Sequence, residues 1–379
     1  MSDAPIPLAH PDVGAREEEL VLEVMRSGRL SLGPMLDRFE REFAAWLGAE
    51  GAVATSSGTA ALHLAVRALG WGRGDEVVTT PFSFVASANC LLYEGATPVF
   101  CDIDPATLNL DPQAAEAACG SRTSGLLPVH IFGYPCDMGG LEGLAGPRGL
   151  GIVEDACEAL GAIDAEGTTV GTRGHPTAFG FYANKQLTTA EGGMLTARDP
   201  TARQRVRSER NQGRGDDMDW LGHDRLGFNY RLSDVAAAIG VAQLERIDGL
   251  LADRRRVAAL YAERLDGIEG LERPSPDQGL AQRSWFVYVV QLPTDIDRDG
   301  MIRALAALGI ASKGYLPCIH LQPYYRERFG YRGGEFPIAE QVAARSLAVP
   351  FFTGMTEAQV DRVCEALREL VTAVSGHRG

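Results

Sequence analysis

Apolar positions change their spacing along this chain, and the changes mark the predicted elements. An extended, proline-containing segment opens the chain and leads into two predicted helices. In the second helix, apolar side chains recur every three or four positions, as one face of a helix requires, at Leu36, Phe39, Phe43, Trp46 and Leu47.

From residue 51 onward, short apolar runs alternate with segments of helix length. The pattern predicts strands at residues 53–55, 76–80, 97–101, 125–131 and 151–154, and helices at about 58–69 and 84–94. Strands separated by helix-length connections pair in parallel and are covered on both faces. We therefore expect an α/β fold with a largely parallel sheet between layers of helices.

The pattern changes again near residue 233, where a serine precedes a predicted helix over 233–247. A long charged helix follows to about residue 265. Beyond it we expect a strand over 285–291 and helices near 299–308, 338–347 and 356–371. The predicted organisation is an N-terminal arm (1–13), a large ligand-binding domain (14–247) and a smaller α+β domain (248–379).

Composition narrows the class of protein. The 379 residues carry 36 Lys and Arg against 50 Asp and Glu, a net charge of −14, which argues against binding to nucleic acid or to anionic membranes. Seven scattered cysteines without a Cys-x-x-Cys pair favour reduced thiols in a cytoplasm. We expect no signal peptide and no membrane span, since neither apolar pattern occurs.

A small-residue turn at residues 55–60 separates a predicted strand from a predicted helix. Its Ser57, Gly58 and Thr59 could present backbone N–H groups and hydroxyls to an anion at the helix N-terminus. The alternative is a plain helix cap. A Walker loop and a dinucleotide fingerprint are both missing from the sequence.

Two further strand ends carry candidate chemistry. Phe84 follows the strand at 76–80 and could stack on a planar ligand, although core packing is the commoner role of a phenylalanine. Asp155 ends the strand at 151–154, at the sheet edge where α/β proteins bind ligands. It could hold a protonated ring nitrogen, cap a helix or bind a metal, but a cluster at metal-ligand spacing is missing and we predict no metal site.

Lys185 follows an apolar run beginning at residue 178, which reads as a buried strand that ends in a glycine-bearing turn. A buried lysine favours its neutral amine, a nucleophile toward carbonyls, whereas a surface lysine extends into water. Together the anion cradle, aromatic plate, carboxylate and lysine are the parts that pyridoxal phosphate requires.

In its motifs the chain resembles the DegT/DnrJ/EryC1/StrS sugar aminotransferases, pyridoxal-phosphate enzymes of the type I, aspartate aminotransferase fold. The resemblance implies a mostly parallel, seven-stranded-type sheet in the large domain. It covers almost the whole chain and is carried by Ser57-Gly58-Thr59, residues 74–81 with Phe84, residues 98–104 and 128–133, Glu154-Asp155, Asn184-Lys185, and residues 191–193, 227–234 and 317–320.

The resemblance also implies residue roles. Lys185 matches the family's Schiff-base lysine and Asp155 the partner of the pyridinium nitrogen. The remaining implied cofactor contacts are Ser57, Gly58 and Thr59 at the phosphate, Phe84 on the ring, Glu158 near the ring hydroxyl, Asn184, and Asn229 supplied by a neighbouring subunit of a homodimer. Many relatives carry a serine where this chain has Gly180, so either Asn184, a backbone N–H or a water replaces that hydroxyl, or phosphate binding is weaker.

The implied reaction transfers the amino group of L-glutamate to a keto-sugar nucleotide. Glu158 favours a 4-keto-6-deoxy sugar, because relatives acting on such sugars carry glutamate at this position. The alternatives are a keto-cyclitol acceptor and a regulatory homologue without turnover. Candidate substrate contacts, each with a structural alternative, are Arg214, Arg231, Lys313, Tyr315 and His320.

Overall fold

A computed structural model describes residues 4–215 and 222–376, with side chains to residue 373. The helices are α1 (Ala15–Ser27), α2 (Pro34–Leu47), α3 (Gly58–Leu69), α4 (Ala86–Tyr93), α5 (Pro112–Ala118), α6 (Met138–Ala145), α7 (Pro200–Glu209), α8 (Asp234–Leu244), α9 (Ile247–Arg264), α10 (Arg298–Ala307), α11 (Pro323–Phe329), α12 (Pro337–Arg345) and α13 (Glu357–Gly376). The strands are β1 (Ala52–Thr55), β2 (Glu76–Thr79), β3 (Thr97–Phe100), β4 (Thr123–Leu127), β5 (Gly151–Ile152), β6 (Glu154–Asp155), β7 (Thr177–Gly180), β8 (Gly193–Thr196), β9 (Tyr288–Gln291), β10 (Lys313–Gly314) and β11 (Ser346–Val349).

The large sheet has the order β3-β2-β4-β5 on one side and β6-β7-β8-β1 on the other. Strands β5 and β6 continue one another, because the N–H of Val153 bonds to Leu126 and the N–H of Asp155 bonds to Pro128. They make the whole a seven-stranded sheet in which only β8 runs antiparallel to its neighbours. The predicted α/β fold with a mostly parallel sheet is confirmed.

Helix α3 begins and ends where local signals place it. The Ser57 hydroxyl accepts the N–H of Ala60 at 3.1 Å, which satisfies a donor that the first turn leaves unpaired. Gly70 ends the helix in the left-handed region, with φ of 75°, a conformation that glycine adopts without steric cost. The predicted bounds of 58–69 therefore agree with the structure.

Aromatic packing fixes the sheet against α2. Phe39 and Phe43 are buried on α2 and meet Phe181 edge to face, with ring centroids 5.5 and 5.7 Å away. Phe43 also meets Phe179 of β7 at 5.4 Å. Each such pair adds about 0.5–1.5 kcal/mol beyond area burial, so the chain is held firmly just before Lys185.

Two predicted strands were placed too far along the chain. The strand expected at 125–131 ends at Leu127, since Pro128 has no N–H to continue the ladder, and a turn follows in which Phe132 has φ of 53°. Lys185 does not end a strand either. It lies five positions after β7, in a turn where its own N–H bonds to the carbonyl of Tyr182.

The C-terminal region forms an antiparallel sheet in the order β10-β11-β9 with its own apolar core. The N-terminal arm joins this region, because Ile6 exchanges backbone hydrogen bonds with Gly309 and Ala311. The boundary near residue 248 remains a prediction, with residues 1–3 and 377–379 of its outer ranges outside the described part. Among the described helices we find none with both the length and the apolar character needed to cross a membrane.

Candidate active site

A cavity of about 450 Å³ opens where the parallel strands of the large sheet end. Its walls come from turns that follow β1, β2, β4, β6 and β7, and from the C-terminal region. The residues lining it are Ser57, Gly58, Thr59, Leu62, Ser83, Phe84, Ala86, Ser87, Val129, Asp155, Cys157, Glu158, Gly180, Tyr182, Asn184, Lys185, Glu191, Gly192, Phe286, Tyr315 and Leu316.

Asp155 lies at the base of the cavity and is fixed by two donors. Its Oδ2 accepts the hydroxyl of Ser87 at 2.7 Å, and its Oδ1 accepts the N–H of Cys157 at 3.1 Å. Ser87 is in turn 2.8 Å from the hydroxyl of Ser83. These two hydrogen bonds hold the buried carboxylate in one orientation.

Lys185 projects into the same cavity from its turn. Its Nζ lies 3.4 Å from Oε1 of Glu158 and 3.7 Å from the centre of the Phe286 ring. The face of the ring attracts a cation, and the carboxylate accepts a hydrogen bond from the amine. The amine is thus held at one place on the cavity wall by groups from two different parts of the chain.

Glu158 is buried beside this amine, and burial raises the pKa of its carboxyl, while the Lys185 cation and the N–H of Phe132 oppose the rise. The N–H of Phe132 reaches Oε2 at 2.9 Å. Burial, with Asp155 nearby, also holds the pKa of the Cys157 thiol well above its usual range. Cys157 is therefore a packing group of the wall, since the thiolate is the nucleophilic form.

Glycines let three segments meet at the N-terminus of α3. A Cβ on Gly58 would lie 2.8 Å from the Cys157 sulfur and 3.2 Å from Cα of Gly180, and one on Gly193 would lie 2.4 Å from the carbonyl oxygen of Ser57. The hydroxyl of Ser57 caps this helix, as the alternative interpretation of this turn predicted, and the anion cradle remains a prediction. Backbone N–H groups at this end suit an anion.

Phe84 and Asn184, which are predicted cofactor contacts, and Tyr315, a predicted substrate contact, also line the cavity. Phe84 is 61% exposed, so its ring lies open at the rim instead of in the core. The Oδ1 of Asn184 is buried without a hydrogen-bond partner among the described residues. Burial, with Glu158 close by, raises the pKa of the Tyr315 hydroxyl.

Five other predicted contacts lie outside the cavity lining of their own chain. Arg231 donates to Oδ1 of Asn211 at 3.0 Å, and Arg214 pairs through its backbone with His223. Lys313 is exposed on β10, and Asn229 is exposed beyond the cavity.

His320, the fifth, departs furthest from its predicted role as a substrate contact. It is fully buried, its Nε2 lies 3.0 Å from Oε1 of Glu340, and Phe336 covers its ring at 4.8 Å. Within the described ranges, His320, Glu335 and Glu340 form a group with metal-ligand spacing. Backbone N–H groups of Gly333 and Gly334 already bind these two carboxylates, so the group stabilises a loop.

Sequence reasoning missed several residues that the fold brings to the site. Ser87 lies three positions after Phe84, at the start of α4, and this spacing to a candidate residue could have identified it as a further site residue. Phe286 arrives from the C-terminal region about a hundred residues after Lys185, and no local pattern distinguishes it from a core phenylalanine.

Comparisons with known proteins agree with this fold and site. Residues 11–368 match the model of the DegT/DnrJ/EryC1/StrS aminotransferase family. GDP-perosamine synthase of Caulobacter vibrioides is 39% identical over 376 residues, covering 98% of this chain and 100% of that protein. Spore coat polysaccharide biosynthesis protein SpsC of Bacillus subtilis is 38% identical over 380 residues, covering 97% of each chain.

Among solved structures, DesI in the presence of its TDP-sugar product superposes with a TM-score of 0.89. It is 31% identical, and the match covers 100% of this chain and 97% of that one. The fold and cavity are those of an aminotransferase. The chain belongs to the DegT/DnrJ/EryC1/StrS aminotransferase family, as its motifs predicted.

Proposed function

We propose that this protein is a pyridoxal-phosphate-dependent aminotransferase that moves the amino group of L-glutamate to a keto-sugar carried on a nucleoside diphosphate. The observation that carries the proposal is the placement of Lys185 and Asp155 on different parts of one cavity, beside the N-terminus of α3. An amine, an oriented carboxylate and an anion site together suit this cofactor better than a metal or a nicotinamide.

The residues present fit pyridoxal phosphate. Its phosphate requires N–H donors, which α3 offers beside Gly58, where a side chain would collide with Cys157. Asn184 supplies a buried oxygen that lacks a partner among the described residues, and Phe84 offers an open ring. A side chain at Gly180 would press on Cys157 at 3.3 Å, and we propose that Asn184, a backbone N–H or a water supplies the missing hydroxyl contact.

When bound, the cofactor supplies a carbonyl that accepts amines and a ring that withdraws electrons from the neighbouring carbon. The Asp155 carboxylate then holds a proton at the ring nitrogen, and Ser87 and Cys157 keep it oriented. The Nζ of Lys185 would act as the general base that removes the proton from the α-carbon of the amino donor. Positioned proton transfer of this kind contributes roughly 10²–10⁴-fold to rate.

The names of the relatives support the acceptor class. One relative is a GDP-perosamine synthase and another structure contains a TDP-sugar product, so we infer a nucleotide-linked sugar for this chain. Because Glu158 lies beside Lys185, we retain a 4-keto-6-deoxy sugar as the proposed acceptor. A keto-cyclitol acceptor is not favoured, because none of these names points to one.

We also propose a homodimer in which each subunit completes the site of the other. Asn229 is exposed outside its own cavity, while Phe84 and Tyr182 are exposed at the rim. A second copy of the chain would cover those rings and bring its Asn229 to the phosphate end. Arg214, Arg231 and Lys313 remain proposed contacts for the nucleotide diphosphate, and we place the enzyme in the cytoplasm, consistent with its unpaired cysteines.

The test is optical. Purified protein loaded with pyridoxal phosphate should show a visible band that borohydride removes while fixing the cofactor to Lys185, as peptide mass spectrometry would show. L-glutamate should bleach the band, and a 4-keto-6-deoxy nucleotide sugar should restore it. Lys185→Ala should lose the band, and Arg255→Met is its control, because Arg255 is exposed on α9 away from the cavity lining.

Each step has an outcome that contradicts it. A protein that stays colourless with the cofactor would refute the whole proposal. A band that glutamate bleaches but only keto-cyclitols restore would refute the sugar acceptor alone. A band unaffected by Lys185→Ala would remove the lysine from its assigned role.

A further inference from the structure

Two distant segments meet beside the cavity and carry the groups that hold the catalytic amine. The first contains Lys185 and Gln186, and the second contains Ser284 and Phe286. The Nε2 of Gln186 donates to the hydroxyl of Ser284 at 3.0 Å and to the carbonyl of Glu158 at 2.6 Å. The Phe286 ring lies under the Lys185 amine at 3.7 Å.

A buried arginine joins the same two segments from a third direction. Nη1 of Arg254 donates to the carbonyl of Phe286 at 3.1 Å and to that of Trp285 at 3.4 Å. Its Nη2 donates to the carbonyl of Lys185 itself at 3.4 Å. One planar guanidinium thus bridges the backbone of Lys185 and the backbone of Phe286, whose ring contacts the Lys185 amine.

This arrangement is costly for the fold. Arg254 is 3% exposed, and burial lowers the pKa of its guanidinium to about 10, only partly offset by Asp253. Among the described residues, no carboxylate lies within ion-pair distance of Arg254. The cation depends on backbone carbonyls and on the Phe351 ring, 5.6 Å away. An apolar side chain would be the cheaper occupant if packing were the only demand.

Arg254 lies on α9 at the point where the helix passes from one hydrophobic core to another. The first turns of α9, with Ile247, Leu250 and Leu251, belong to the core of the large sheet. The later turns, with Val257 and Tyr261, belong to the core of the C-terminal region. Arg254 lies between these halves, where a shift between the two cores would separate Lys185 from Phe286.

We propose that Arg254 is a positioning residue that holds the Lys185 backbone and the Phe286 ring in one fixed relation and so presents the Lys185 amine to the cavity. The importance of this for turnover rests on the proposed function, whereas the positioning itself is a property of the chain. Arg254 contacts neither substrate nor cofactor, and it acts only through Lys185 and Phe286.

The first experiment uses the protein without cofactor. Acetylation of Lys185 is followed across pH by peptide mass spectrometry in the wild type, Arg254→Met, Arg254→Lys and Arg255→Met. We expect Lys185 to react several-fold faster at each pH in Arg254→Met, because its support is loosened. Arg254→Lys keeps the charge without the fork and should lie between, while Arg255→Met should match the wild type.

Loss of stability alone is separated by a core variant. Val363→Ala removes buried methyl groups from α13 in the C-terminal core, far along the chain from the bridge, and should lower the unfolding midpoint without changing the Lys185 profile. A Lys185 profile in both Arg254 variants equal to that of the wild type would overturn the proposal. So would an equal change in Val363→Ala.

A second measurement connects the positioning to turnover. In cofactor-loaded Arg254→Met we expect kcat to fall roughly 10- to 100-fold with a smaller change in KM, since misplaced groups lose rate more than binding. The pH midpoint of the visible band should change with it. If the wild type binds no cofactor, the proposed function fails, yet the acetylation profiles still decide the role of Arg254.

Discussion

At the scale of single residues, the site depends on charges held out of water in opposed environments. Asp155 receives two hydrogen bonds, whereas Glu158 is buried beside a cation that only partly offsets its burial. Two carboxylates on one wall therefore have different surroundings, and only that of Glu158 raises the pKa of its carboxyl.

Glu158 gives a prediction about pH. Because burial raises its pKa in the folded chain, the carboxyl ionises first in the unfolded chain, and its contribution to stability falls as pH rises from 4.5 through the folded pKa. Every tenfold difference in proton affinity between the two states corresponds to about 1.4 kcal/mol of unfolding free energy. Urea unfolding of the cofactor-free protein should show a shallower fall with pH in Glu158→Gln.

Glu269→Gln is the matched control, because Glu269 is exposed and distant in sequence from the cavity residues. It should reproduce the wild-type dependence on pH. Equal slopes for Glu158→Gln and the wild type would show that Glu158 titrates alike in the folded and unfolded chains.

At the scale of elements, the N-terminus of α3 serves both the fold and the site. Ser57 caps α3 through Ala60 at 3.1 Å, and Ser233 caps α8 through Ala236 at 3.2 Å. The two caps are similar in geometry, but only the first lines the cavity. They form a natural pair for separating stability from binding.

Replacing either serine by alanine should destabilise the fold by about 1 kcal/mol, as loss of an N-cap does. Only Ser57→Ala should also weaken binding of pyridoxal phosphate, measured by titration of the visible band. Urea unfolding gives the stability of both variants. Equal cofactor affinity in Ser57→Ala and Ser233→Ala would limit Ser57 to its capping role.

Gly58 offers a second prediction for this element. A methyl group there would meet the sulfur of Cys157 at 2.8 Å, so Gly58→Ala should cost about 1–3 kcal/mol and reduce cofactor affinity. Adding Cys157→Ala should recover part of both losses, while Cys157→Ala alone sets the baseline. An unchanged loss in the double variant would place the conflict at Gly180 instead, whose Cα lies at 3.2 Å.

At the scale of the whole molecule, the proposed dimer makes the site a joint product of two chains. Lys185 would act in its own subunit and Asn229 in the neighbouring one. Lys185→Ala and Asn229→Ala should each be inactive or weak as pure proteins. Their equimolar mixture, after exchange of subunits, should regain about a quarter of wild-type sites, because half the dimers carry one intact site.

Co-purification of the untagged variant with an affinity-tagged one would verify that subunits have exchanged, and activity with a glutamate donor would be the readout. A mixture no more active than its parts, despite exchange, would confine Asn229 to its own subunit. A double variant that carries both changes in one chain, mixed with the wild type, is the control for the activity lost when wild-type subunits are diluted by inactive ones.

Local signals in the sequence sufficed wherever neighbours along the chain decide the structure. The capping residue Ser57 and the left-handed Gly70 predicted the two ends of α3 correctly, and strand-length apolar runs predicted the parallel sheet. The expected strand over 125–131 failed at Pro128, a residue whose missing N–H was visible in the sequence. The resemblance to the family was confirmed across residues 11–368.

The sequence by itself determined the class of fold and the family, and it singled out the amine of Lys185, the carboxylate of Asp155 and the turn before α3. Only the tertiary structure decided what surrounds them: Ser87 on Asp155, Phe286 under Lys185, and Arg254 across both segments. The reason is physical, since caps, turns and strands depend on residues a few positions apart. Contacts between segments far apart in the sequence depend on how whole elements pack.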